Sequence, residues 1–109
     1  MYAYEIPGMR FSLPAGGAVA QHRFVAVTAD SEGVQATADT PIVGVSMNET
    51  KAGEVLEIAD GIVIVEAAGA ITAGVAVKAN AEGKAVAGEG QAIAITGAGA
   101  AGELITVKL

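Results

Sequence analysis

Hydrophobic residues in this chain come in short runs of valine, isoleucine and alanine, and glycine, asparagine or aspartate separates the runs. Runs of this length and composition predict β-strands joined by turns. Residues 24–29 and 34–37 flank a polar turn, which predicts a hairpin whose left-handed turn residue is Gly33. Further strands are expected at residues 42–46, 54–58 and 61–66.

Helical patterns are rare. Only residues 71–77 offer a weak helical alternative, and no segment combines ten or more residues of helical periodicity with a cap and a stop signal. Glycine every few residues also argues against long helices. The pattern therefore predicts an all-β protein.

Several stretches about 50 residues apart resemble one another. Val25–Gly33 matches Val75–Gly83 at six of nine positions, and Ala52–Ile58 matches Ala101–Val107 with a shared Ala-Gly-Glu start. Shorter matches link residues 43–46 with 93–96 and residues 17–19 with 69–71. These matches indicate an internal duplication.

The duplication predicts two similar halves, at about residues 17–58 and 69–107, each with one hairpin and two further strands. Neither half can bury both faces of its sheet alone, so we expect one small pseudo-symmetric β-barrel or sandwich. Residues 17–109 are interpreted as a single domain. Residues 1–16 are rich in aromatics and prolines, and they form an extended N-terminal arm or a first strand.

Composition limits the partners. Twelve acidic residues outnumber six basic ones, which gives a net charge of −6, and the cations are scattered singly. Phosphate binding needs grouped cations, so nucleic acid is not an expected partner. Only 4% of the residues are aromatic. Buried alanine methyl groups stabilise a core weakly, and this favours oligomerisation.

The sequence also lacks the features of secreted and membrane-spanning proteins. The chain contains no cysteine, which excludes disulfides and cysteine-ligated metals. Its first residues lack the basic and apolar regions of a signal peptide. The apolar run at 61–65 is too short to span a bilayer, so no membrane association is expected.

No residue pattern indicates catalysis. His22 is the single histidine, and it is interpreted as an exposed turn residue without a visible partner. Glu54 and Glu57 would fall on opposite faces of a strand, so they cannot form a carboxylate pair. The glycine-rich residues 97–102 lack the Lys-Ser/Thr of a phosphate loop. We expect no enzyme activity, no cofactor and no metal.

Lys51 supports one alternative function. Glu49-Thr50-Lys51-Ala52 looks like the lysine hairpin of lipoyl or biotinyl carrier domains, which are also small pseudo-symmetric barrels. The aspartate before the lysine in lipoyl domains and the flanking methionines of biotinyl domains are both missing. A carrier or another small ligand-binding β domain stays the alternative.

The order of motifs resembles the capsid decoration, or cement, proteins of tailed phages. The motifs are Pro14–Gly17, Phe24–Val27, Ile42–Val45, Ala52–Glu54, Ala73–Val77, Glu82–Lys84 and Val107–Leu109. Each is weak alone, and their order and spacing carry the resemblance. One departure is Ile93-Ala94-Ile95, where the family usually has a second Ile-Gly-Val strand.

The resemblance implies a decoration protein that binds the outer surface of a tailed-phage head and stabilises the shell. It implies synthesis in the host bacterial cytoplasm, a place in the virion, the major capsid protein as partner, and self-association, commonly as a homotrimer. We expect the apolar residues of the N-terminal segment to contact the capsid or a neighbouring subunit. These residues are Tyr2, Tyr4, Ile6, Met9 and Phe11.

Overall fold

The computed structural model describes residues 3–38 and 40–109. Within them, nine β-strands form one sheet and no helix occurs. The strands are β1 (Ile6–Pro14), β2 (Phe24–Val27), β3 (Gly33–Gln35), β4 (Gly44–Ser46), β5 (Val55–Glu66), β6 (Ala76–Ala79), β7 (Ala85–Ala87), β8 (Ala92–Ala94) and β9 (Leu104–Lys108). The predicted all-β class is confirmed. In residues 71–77, the weak helical alternative, a bridge at Ile71 and a turn lead into β6.

The sheet consists of two units that share β5. Its order is β3-β2-β4-β5-β9-β8-β6-β7, and β1 lies on the other side of β5 from β4 and β9. The first unit comprises β1 to β4 and β5 up to Ala59. The second unit comprises β5 from Ile62 onward and β6 to β9. The two expected strands at 54–58 and 61–66 are thus one continuous 12-residue strand.

The hairpins of the two units correspond in their pairing. Val25 pairs with Gln35 in the first hairpin, and Val77 pairs with Ala87 in the second, 52 positions further along the chain. The sequence match had placed Val25 against Val75, two residues away. A chain so rich in alanine, valine and glycine allows matches in the wrong register.

Gly33 explains the wrong register. It was expected to be the left-handed turn residue, like Gly83 with its φ of 76°, but the turn of the first hairpin uses Ser31, with a φ of 62°. Gly33 lies in β3 instead, where an added Cβ would come within 2.7 Å of Leu56 Cδ2. This glycine therefore makes room for a core side chain.

The correspondence extends into the N-terminal segment. Phe11 of β1 pairs with Ile58, as Val63 in the second half of β5 pairs with Val107. β1 therefore corresponds to the second half of β5. The division into an N-terminal arm or first strand at residues 1–16 and a single domain at residues 17–109 stays a prediction, although the pairing pattern crosses that boundary.

Each unit buries side chains of its own. Parallel bridges, Ala15–Gly33 and Ala67–Ala85, close each unit in the same way. The first core contains Ala15, Val19, Val25, Leu56 and Ile58. A larger cluster fills the second unit and extends to the first unit's outer face at Phe24, Val45 and Ala59. Two similar halves thus form the fold, as predicted.

The units join where the second hairpin reaches the start of β2. The Phe24 N–H donates a hydrogen bond to the Gly83 carbonyl at 2.8 Å, and the Glu66 N–H donates to the His22 carbonyl at 3.0 Å. Phe24 is completely buried there. The outer face of the first unit is therefore covered by the second unit.

An ion cluster crosses the same joint. Glu66 Oε1 lies 2.8 Å from Arg23 Nη1, and Glu66 Oε2 lies 3.3 Å from Lys84 Nζ. Burial raises the pKa of the Glu66 carboxyl, but the hydrogen bonds from Arg23 and Lys84 and the positive charges of both residues together outweigh it and lower the pKa below its usual value. The carboxylate therefore stays ionised and links both units.

Candidate functional site

The N-terminal strand exposes large apolar side chains. Ile6 and Met9 are 62% and 64% exposed, and Tyr4, just before β1, is also exposed. Single exposed hydrophobics are ordinary, but two large ones on one strand and a third just before it are a candidate interaction surface. We call Tyr4, Ile6 and Met9 the β1 patch.

A β-bulge places the two strand residues of the patch on one face. The register with β5 shifts between Pro7 and Met9, so that Ile6 lies opposite Ile62 and Met9 lies opposite Asp60. Side chains two apart along β5 point to the same face of the sheet. In a regular strand, Ile6 and Met9 are three positions apart and would point to opposite faces, and the bulge at Gly8 changes this.

Tyr4 is fixed by a residue at the other end of the chain. Its N–H donates to Thr106 Oγ1 at 2.6 Å, and the Thr106 hydroxyl donates to the Tyr4 carbonyl at 2.7 Å. Thr106 is completely buried. The segment before β1 is therefore held across β9.

The other two expected contact residues differ from the patch. Phe11 is half-buried and packs against the first unit's core. β1 places it opposite Ile58, whose side chain lies in that core, so packing explains its burial. Tyr2 lies outside the described residues. The structure thus leaves Tyr4, Ile6 and Met9 exposed and directs Phe11 towards the first unit's core.

Beside β1, the ion pair of Arg10 with Glu57 is long and exposed. Arg10 Nη2 lies 3.9 Å from Glu57 Oε2, and both side chains are more than half exposed. An exposed pair at this distance contributes little to stability. The apolar side chains are therefore the main feature of this strand.

His22 is half-buried with a left-handed φ of 63°, and its buried Nδ1 has no hydrogen-bond partner. Its expected exposure as a turn residue is thus only partial. Within residues 3–38 and 40–109 there is no group of three metal-ligating side chains, no pocket, and no helix long and apolar enough to cross a membrane.

Lys51, the residue behind the carrier alternative, lies in the loop between β4 and β5. Its side chain is exposed, and its N–H donates to Glu54 Oε1 at 2.7 Å. The next glycine, Gly53, has a φ of 85°, as Gly102 has 92° in the matching loop of the second unit. The turn thus serves the repeated architecture.

Comparison with known families bears on the choice between a capsid decoration protein and a carrier domain. A family model described as phage cement protein matches residues 6–109. The chain belongs to the phage cement protein family. Membership makes it a capsid-associated structural protein of phage virions, and it favours that function over a carrier.

A solved structure has a similar fold. The head fiber gp8.5 N base of bacteriophage phi29 superposes with a TM-score of 0.74 at 20% sequence identity, and the match covers 91% of each chain. At this identity, the similarity shows the fold alone. Comparison with curated proteins finds no match.

In this cement protein, sequence reasoning missed Thr106 as a support of the site. Its place between Ile105 and Val107, which are both buried, puts it on the opposite face of β9. A polar β-branched residue is ordinary at such a position. Nothing in the sequence indicates that Tyr4, 102 positions away, covers it.

Proposed function

We propose that this cement protein decorates the outer surface of a phage head, where it binds the major capsid protein and stabilises the shell. The observation that carries the proposal is the family match over residues 6–109. The acidic charge of −6 is compatible with a solvent-facing layer, because it limits nonspecific association.

The β1 patch is the proposed contact with the capsid. Burying Ile6 and Met9 in an interface would remove large apolar surface from water, at about 25 cal/mol per Å². The patch is also preorganised, because Thr106 holds Tyr4 and the bulge orients Ile6 with Met9. Preorganised contacts lose less entropy on binding.

Side-chain contact is favoured over strand addition. β1 pairs with β5 along one edge, and no other strand in the described part of the chain pairs with its other edge. Pro7 and Pro14 lack N–H donors, and the bulge at Gly8 distorts the strand. Such features protect an edge against pairing with another strand, so we assign the binding to the exposed side chains.

Copies on a shell would act together. We propose a homotrimer on the capsid, in which several weak contacts combine. The thin aliphatic core supports this arrangement, since an interface between subunits would bury further apolar area.

The test uses purified capsids without decoration protein. Wild-type protein should bind their outer surface, visible by cryo-electron microscopy, and raise the temperature at which the shell opens. The double variant Ile6→Asp with Met9→Asp should bind roughly tenfold more weakly or worse, because two carboxylates replace the apolar contacts.

Val55→Asp is the matched control. Val55 is 63% exposed but lies at the far end of β1, opposite Pro14. Its variant should bind like wild type. Equal binding by the double variant would remove the β1 patch from the proposal, and absence of wild-type binding to any capsid surface would contradict the function itself.

A further inference from the structure

Val45 and Ile93 occupy matching positions in the two units, yet their exposure differs. Val45 pairs with Phe24, and Ile93 pairs with Ala76. Val45 is 0% exposed because the second unit covers this outer face of the first. Ile93 is 44% exposed, so the described residues leave the equivalent face of the second unit partly open, although Tyr4 covers this face of β9 at Thr106.

The opposite difference occurs at the hairpins. Val27 pairs with Gly33 as Ala79 pairs with Ala85, so Val27 and Ala79 also match. Ala79 is 2% exposed and belongs to the cluster that reaches Phe24 of the first unit. Val27 is 43% exposed. The first hairpin therefore has an open side where the second hairpin contacts a neighbouring unit.

These two differences show that the units pack head to tail. The face around Ile93, with Ala76 and Lys108, is called the head face. The side of the first hairpin around Val27 is called the tail face. A head-to-tail joint between two units always leaves one unused face of each kind.

We propose that the head face of one chain binds the tail face of a second copy, so that the internal joint is repeated between chains. This inference rests on the proposed assembly of copies on the shell, and it adds the surfaces and their polarity. Such a heterologous contact closes into a ring when the rotation between copies allows it.

The charges of the two faces support a second copy of the chain as the partner that binds them. The head face carries Lys78 and Lys108, where the first unit has the buried alanines Ala26 and Ala59. The tail hairpin carries Asp30 and Glu32 in its turn. Opposite charges on the two free faces favour head-to-tail contact and oppose head-to-head contact.

Not every exposed apolar residue belongs to these faces. Val55 pairs with Pro14, and Leu104 pairs with Glu66 at the matching position. Both are exposed, at 63% and 45%, so their exposure does not depend on the unit. Leu104 therefore provides a control residue as exposed as Ile93.

Cross-linking tests the polarity of the contact. The chain contains no cysteine, so Val27→Cys and Ile93→Cys each carry one thiol. We expect a short bis-maleimide to link the two variants to each other in a mixture, and to link neither variant efficiently to itself. Links between identical variants without links in the mixture would overturn the proposal, because a head-to-tail contact places Val27 of one copy beside Ile93 of the next.

Sedimentation of the isolated full chain tests the surface. Wild type should self-associate, and Ile93→Asp or Val27→Asp should weaken association roughly tenfold or more, while Leu104→Asp stays within about twofold. A wild-type chain that stays monomeric up to about 1 mM overturns the inference.

Capsid binding is measured separately. Head-to-tail links without capsid binding would leave the inference standing and contradict the proposed function. Capsid binding by copies that never cross-link would do the reverse.

Discussion

The two units pack one strand pattern with different side chains. The first unit has Phe11 and Leu13 where the second has Val63 and Val65. Two other matching positions go the opposite way, with Gly33 and Gly44 in the first unit and Ala85 and Ala92 in the second.

The difference shows how a duplicated core keeps its volume. Protein interiors are packed as densely as crystals, so a larger side chain at one position requires a smaller one beside it. In the first unit, a Cβ on Gly44 would lie 2.6 Å from Ile58 Cγ2, a core side chain. In the first unit, glycines thus offset the volume of the larger side chains. In the second unit, valine and alanine side chains of intermediate size fill the corresponding positions.

The largest expected effect is at Leu56, which is completely buried beside Gly33. Leu56→Ala should lower the free energy of unfolding by about 2–5 kcal/mol, because the neighbouring glycine has no side chain to fill the cavity. Urea denaturation measures the loss. Val55→Ala, at the exposed neighbour, should change stability by less than about 0.5 kcal/mol. Similar losses in both variants would contradict the proposed role of Leu56.

Gly33→Ala should have a smaller effect, a loss of about 1–3 kcal/mol from overpacking against Leu56. In a Leu56→Ala background this loss should largely disappear, because the added methyl group then enters the cavity. Gly17→Ala is the control, since an added Cβ there meets nothing within 4 Å. An unchanged loss in the double variant would show that backbone strain, and not volume, determines Gly33.

The smallest expected effect concerns the ion cluster of Glu66, Arg23 and Lys84, which joins the two units. The first hairpin has no neighbouring unit with which to form such a cluster. Glu66→Gln should cost about 1–2 kcal/mol at neutral pH, because Arg23 and Lys84 lose a charged acceptor. The lowered pKa of Glu66 means that this stability is present above its usual pKa and is lost as pH falls through the folded value.

Denaturation at pH 7 and at about pH 3 checks the sign, and the difference between wild type and Glu66→Gln should shrink in acid. Glu57→Gln serves as the control, because its exposed pair with Arg10 is weak. A difference that grows in acid would mean that the carboxylate destabilises the fold.

Part of the duplication was visible in the sequence because the backbone conformation of the repeated loops requires glycine at the same position. The Ala-Gly-Glu match aligns Gly53 with Gly102, and both adopt left-handed conformations in matching loops. The hairpin match was in the wrong register because it aligned Gly33 with Gly83. Gly83 is a left-handed turn residue, whereas Gly33 lies in β3. A first strand within residues 1–16 was one of the two expected alternatives, but its correspondence with the second half of β5 went unrecognised, because the two share only an alternation of buried and exposed positions.

The candidate site was predictable only in part. Apolar residues near the N-terminus predicted a contact segment, which stays a prediction, and of these residues Ile6 and Met9 are exposed. The bulge that aligns them depends on register with β5. The exposure of Ile93 depends on whether another unit covers it, and no local pattern encodes that.

The strand shared by both units has a consequence for how the protein can come apart. The boundary between the units lies inside β5, between Ala59 and Ile62, with Gly61 hydrogen-bonded to Leu109. A protease therefore finds no exposed linker there, and unfolding of one half would remove part of the strand with which the other half pairs. The duplicated molecule should lose its structure in a single cooperative transition.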